Sequence, residues 1–149
     1  MDDQVMIEPL AQKVSRLAAI HAAETALKLR LVGGDGSLTI DENTAAADLI
    51  AAECISTDYT PGGYTITFVT GGVKNGETAY NRSGLMGFTV ATVAPTQEIH
   101  GAWVDMAGAA LQRVSFDPPI PLARVGDSVF VVVYDGYPPG VVGIEIVEP

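Results

Sequence analysis

The chain has 149 residues, with 18 acidic residues against 8 basic and a formal net charge of −10; it is 48% hydrophobic and only 17% charged. That length supports one domain with a core large enough to fold without staples, and the acidic balance argues against nucleic acid, whose phosphates call for clustered Lys and Arg. The single cysteine, Cys54, excludes an intrachain disulfide, and no apolar run reaches the ~20 residues that span a bilayer.

The opening MDDQVMIEPL is acidic and lacks the positive n-region and apolar stretch of a secretory signal. Pro9 suits a first helical turn. Leu10, Val14, Leu17 and His21 then recur at helical spacing beside Ala11, Ala18 and Ala22. The spacing predicts an amphipathic helix over residues 8–24 within an N-terminal arm of residues 1–26. Its Ala-rich face suits close packing, and a helix so short must dock on something.

From residue 27 the period changes to two. Leu27, Leu29 and Leu31 alternate with Lys28 and Arg30, which predicts a strand with both basic residues outward. Gly33–Ser37 reads as a loop, and Ala45–Glu53 as a short helix capped by Asn43 or Thr44. Tyr64–Val69 alternates as one strand, and Asn75-Gly76 is a hairpin dipeptide. Leu85–Val93, Ile99–Val104, Ala110–Phe116, Val129–Tyr134 and Val141–Val147 bring the count to about eight strands with Gly and Pro turns. Pro118-Pro119 reads as a loop, and the last strand as an edge strand or one exchanged with a partner. The expected fold is mainly β: an antiparallel, jelly-roll-like β-sandwich over residues 27–149 behind the helical arm.

Chemistry-bearing residues are sparse. His21 and His100 lie in different elements with no second ligand at zinc spacing. Asp35, Asp41, Glu42 and Asn43 gather oxygen donors, but not at the spacing of a calcium loop; they read as a solvated turn with a helix cap, with weak calcium binding as the rival reading. Cys54 reads as a small buried hydrophobe, and no serine sits in a Gly-x-Ser-x-Gly elbow. Asp105, Asp117 and Asp127 read as turn residues. Trp103 and the tyrosines Tyr59, Tyr64, Tyr80, Tyr134 and Tyr137 read as core and interface anchors, with a sugar platform as the rival reading. The expectation is therefore no catalytic residue, metal or cofactor, and an interface carried by Leu10, Val14, Leu17 and Trp103.

The stretch from Leu27 to Val133 resembles small tailed-bacteriophage virion proteins. The likeness lies in LKLRLVGGDGSLT, in AADLIAAECISTDYTPGGYTI, in EIHGAWVDMAGAALQRVSFDPPIPL and in the closing GDSVFVVV. Met1–Ala26 and the tail after Tyr134 depart from the pattern. The resemblance implies a non-enzymatic virion protein on the capsid surface, decorating or cementing it as a homo-oligomer, a trimer, with the major capsid protein as partner. It implies neither nucleic-acid nor membrane binding. A neck or tail accessory protein and a carbohydrate-binding module are the alternatives.

Overall fold

The computed structural model describes residues 27–33, 38–74, 78–92, 97–135 and 142–147. The helix expected over residues 8–24, with Leu10, Val14, Leu17 and His21, lies outside the described residues, as does the Asn75-Gly76 dipeptide.

Nine strands and one short helix make up the described chain: β1 Leu27–Val32, α1 Ala46–Ala51, β2 Tyr64–Thr65, β3 Phe68–Lys74, β4 Thr78–Ser83, β5 Met86–Thr89, β6 Gln97–Met106, β7 Ala109–Leu122, β8 Ser128–Asp135 and β9 Val142–Ile146. All pairings are antiparallel. One sheet has the order β2-β1-β6-β7; in the other, β3 pairs β4, and β8 pairs β4, β5 and β9. Among the described residues the protein is thus mainly β with almost no helix.

β4 and β5 behave as one interrupted strand. Asn81 and Arg82 pair with Asp135 and Tyr134, whereas Met86–Thr89 pair with Val131–Ser128, one residue out of step. The break falls at Gly84-Leu85. There the Val133 N–H, which has lost its ladder partner, donates to Ser83 Oγ at 2.9 Å. A buried amide left without an acceptor is costly, and the hydroxyl removes that cost. β9 pairs β8 along its length, Val131↔Ile146 to Asp135↔Val142. The last strand is therefore an edge strand paired within its own chain.

The alternation read in β1 holds for Leu27, Leu29 and Leu31, all buried, and for Lys28, which is exposed. Arg30 departs from expectation: its side chain is only 18% exposed, held by two carboxylates. The expected Tyr64–Val69 strand divides. Ile66 N–H still bonds to Leu27 O at 2.9 Å, and the chain then leaves the first sheet and enters the second as β3. Gly63 makes the approach of β2 possible: its φ is +84°, and a Cβ there would stand 2.1 Å from Leu29 O.

Pro118-Pro119 does not interrupt the strand. β7 runs through it because it is the outer strand of its sheet, where a missing N–H is tolerated. Between the pairs Ile99↔Ile120 and Gly101↔Ser115, four residues of β7 stand opposite His100 alone. This bulge takes up both prolines.

One cluster joins the two sheets: Leu27, Leu29, Leu31, Ile99, Ala102, Val104 and Phe116 from the first meet Phe68, Met86, Phe88, Val129, Val131 and Val133 from the second. A second, smaller cluster lies on the other face of the first sheet, where Val32 and Trp103 receive Leu49 of α1, with Leu38, Ile40, Ala52 and Ala110 around them. α1 is shorter than the expected Ala45–Glu53. Its N-cap is Ala45, with no side-chain cap bond. Asn43 and Thr44 serve the preceding turn instead: Thr44 Oγ1 accepts from Asp41 N–H at 2.9 Å and donates to Thr39 O at 2.9 Å.

Candidate functional site

Among the described residues, the densest group of buried charge sits on the outer face of the first sheet, beside the second cluster. In the β1–β6 ladder Arg30 stands opposite Trp103, and Lys28 opposite Asp105. Arg30 and Asp105 are therefore diagonal neighbours on one face. Arg30 Nε donates to Asp105 Oδ2 at 2.8 Å, and the guanidinium carbon lies 5.5 Å from the centre of the Trp103 ring. Glu53, brought to β1 by a bridge to Val32, accepts from Arg30 Nη1 at 3.1 Å.

Each carboxylate oxygen of this group has a donor. Asp105 Oδ1 accepts from Gly108 N–H at 2.7 Å; Glu53 Oε2 also accepts from Tyr59 Oη at 2.9 Å, and Oε1 from Gly62 N–H at 3.1 Å. Tyr59 Oη in turn accepts from Leu31 N–H at 3.3 Å. The cluster ties β1, β6, the β6–β7 turn, the end of α1 and the Tyr59–Gly62 loop to one another. Burial opposes the charge of Arg30, but hydrogen bonds and charge from Glu53 and then Asp105 outweigh it, and its pKa rises. Burial, reinforced by the charge on Glu53, pushes the Tyr59 phenol up. Burial also raises the Tyr64 phenol to about 12 and the Cys54 thiol to about 11.

Chemically this arrangement holds structure together. An acid or base needs an oxygen free to exchange a proton with a substrate, and a nucleophilic cysteine needs a lowered pKa. Cys54 is 3% exposed with its pKa raised, in keeping with a small buried hydrophobe.

A groove of about 370 Å³ lies nearby, lined by Ile40, Asp41, Glu42 and residues 110–115 of β7. Arg113 forms its back, donating to the carbonyls of Asp41, Thr44 and Ala110. It fastens the segment before α1 to the sheet. Asp41 Oδ1 accepts from Asn43 N–H at 2.8 Å, so its carboxylate serves its own turn. Among the described residues no group of three His, Cys, Asp or Glu could hold a metal ion, and no helix is long and apolar enough to cross a membrane.

Trp103 is 0% exposed. It packs with Val32 and Leu49 inside the chain, so it anchors the core and presents no surface to a neighbour. Tyr59 is buried as well, which removes two members of the aromatic platform. Tyr80 and Tyr137 have side chains outside the described residues, as do Leu10, Val14 and Leu17. Asp127 does act as a turn residue, accepting from Ala123 and Arg124 N–H at 2.9 Å. Asp105 does more: it closes the Arg30 cluster. Sequence reading missed Arg30, Glu53 and Tyr59 as one group. The available signal was the basic residue inside an apolar strand, and it names no partner 23 or 75 residues away.

The chain matches no protein-family model, no curated protein and no solved structure.

Proposed function

We propose that the two sheets form a β-sandwich and that the protein is a structural subunit of a tailed-phage virion, on the capsid surface. In this reading it decorates or cements the shell as a homotrimer that bridges neighbouring copies of the major capsid protein. Each sheet offers four strand positions once β4 and β5 are counted as one, the count of a jelly roll. The two-sheet architecture suits a rigid bridging element, and the resemblance over Leu27–Val133 supplies the virion setting.

The observation that carries the reading is the closed Arg30–Glu53–Asp105–Tyr59 cluster. The charges of this cluster are spent on holding a loop, a helix and a sheet together. What the molecule offers outward is surface, including exposed Ile55, Leu85 and Val125, and a role built on contact area follows. Such a protein needs no cofactor.

Quantitative mass spectrometry of purified particles, counting this chain against the major shell protein, tests the reading. A count comparable to the shell protein is expected. A count of a dozen or so would move the protein to the neck or tail, and absence from particles would overturn the virion reading.

A further inference from the structure

One polar side chain reaches from an outer strand of the first sheet to the edge strand of the second. Gln112 stands opposite Val104 in the β6–β7 ladder, and Val104 belongs to the core between the sheets. Opposed residues share a face, so Gln112 points to the side where the sheets meet. Its amide is used at both ends. Nε2 donates to Val142 O, on β9, at 2.7 Å, and Oε1 accepts from Arg113 N–H at 3.1 Å. Val142 O can only accept and Arg113 N–H can only donate, so a single orientation of the amide serves both. The bond from Arg113 holds the oxygen and thereby aims the nitrogen at β9. Arg113 itself faces the other way, opposite Trp103, and grips the carbonyls of Asp41 and Thr44. Two adjacent residues of β7 thus fasten one element on each face of the first sheet.

The two ends of β9 are held differently. At its far end the ladder with β8 continues past Val131↔Ile146, with Val147 N–H donating to Phe130 O at 2.9 Å. At its near end Asp135↔Val142 is the last pair of the ladder among the described residues, and it is there that Gln112 arrives from the other sheet. Val142, Ile144 and Ile146 pack against the core but are only half-buried. A five-residue edge strand with so little burial belongs to the parts of a fold that open locally, and the near end is where one added bond counts most.

We propose that Gln112 is a clasp that keeps β9 seated. Closed, it ties β9 to β7 and keeps the edge of β8 filled by its own chain. Open, it lets β9 release from the Val142 end as a local unit while both sheets stay folded. The inference concerns the fold alone and does not rest on the virion reading.

Amide hydrogen exchange of the full chain, read by mass spectrometry, tests it on Gln112→Glu. At neutral pH the carboxylate still accepts from Arg113 N–H but sets an acceptor against Val142 O. Exchange over residues 142–147 should run about tenfold faster than in the wild type, with residues 38–45 and 97–106 unchanged. At about pH 3.5, below the ordinary glutamate pKa of about 4.3, the acid O–H can donate again. There β9 should return to within about twofold of the wild type at the same pH. Wild-type exchange in β9 at neutral pH overturns the proposal. So does equal acceleration of β6 and β9, which means that β9 opens only with the whole fold. Acceleration that persists at low pH overturns it too, since it assigns the effect to packing and not to the donated bond. If Gln112→Glu does not fold, Gln112→Asn decides: it is neutral and one methylene too short to span the gap. Faster exchange confined to β9 then supports the clasp, and wild-type exchange overturns it.

Discussion

Arg30 is the residue on which the most depends. Its guanidinium pairs with two poorly exposed carboxylates and covers the Trp103 ring. Replacing it with methionine keeps much of the packing but strands Glu53 and Asp105. Removing one member of a buried ion group typically costs about 3–5 kcal/mol. Arg30→Met should fall near the lower end of that range in urea unfolding, because the cluster keeps some contact with water. Adding Glu53→Gln and Asp105→Asn should restore part of the loss; a strictly additive triple variant would mean that the three do not act as a group. Alkaline pH probes the same region. Burial raises Cys54 from 9.0 to about 11 and Tyr64 from 10.0 to about 12. For an acid held neutral in the fold, the native state binds more protons than the unfolded one between those values, so stability falls as pH rises. Urea midpoints should decline from pH 9 to 11 through Cys54 and from pH 10 to 12 through Tyr64. Cys54→Val should flatten the first part of that decline, and an unchanged slope would remove Cys54 as its cause.

At the scale of elements, α1 illustrates structure imposed from outside. Six residues with no side-chain cap cannot hold a helix alone. It persists because Leu49 enters the pocket beside Trp103 and because Arg113 grips the carbonyls before it. Leu49→Ala should cost about 2–5 kcal/mol, read from urea unfolding. Arg113→Ala should speed proteolysis and amide exchange over residues 38–45 and leave β8 protected. Gly101 sets how closely that segment lies on β6: a Cβ there would stand 2.5 Å from Ile40 Cδ1 and 2.4 Å from Val114 O. Gly101→Ala should destabilise the protein by about 1–3 kcal/mol through overpacking; a neutral effect in the same unfolding experiment would mean that the segment is free to lift. Strand periodicity made β1, β6 and β8 legible in the sequence, because burial on one or both faces writes itself into local spacing. The continuity of β7 was not legible, since a Pro-Pro pair ends an inner strand but not an outer one, and rank in a sheet is set by the whole chain. The extra residue between β4 and β5 was hidden for a similar reason. Only the ladder with β8 reveals the slip.

The whole molecule shows the same division between local and distant causes. The mainly β character and the antiparallel pairing follow from short strands and frequent turns. The Arg30 cluster draws on residues spread from 30 to 108 and becomes a unit only when β1 and β6 lie side by side. A bridging role also makes a claim about mass. Sedimentation at micromolar concentration should give a trimer, and a monomer at every concentration would remove the homotrimer from the proposed assembly.

The prolines of β7 bear on how such a protein behaves before it meets a partner. Pro118, Pro119 and Pro121 have no amide hydrogen to offer, and they lie in the strand that forms one border of the first sheet. A second molecule seeking to extend that sheet would find gaps where donors should be. Strand addition is therefore disfavoured along the Pro118–Pro121 stretch of this border by covalent structure, whatever the concentration.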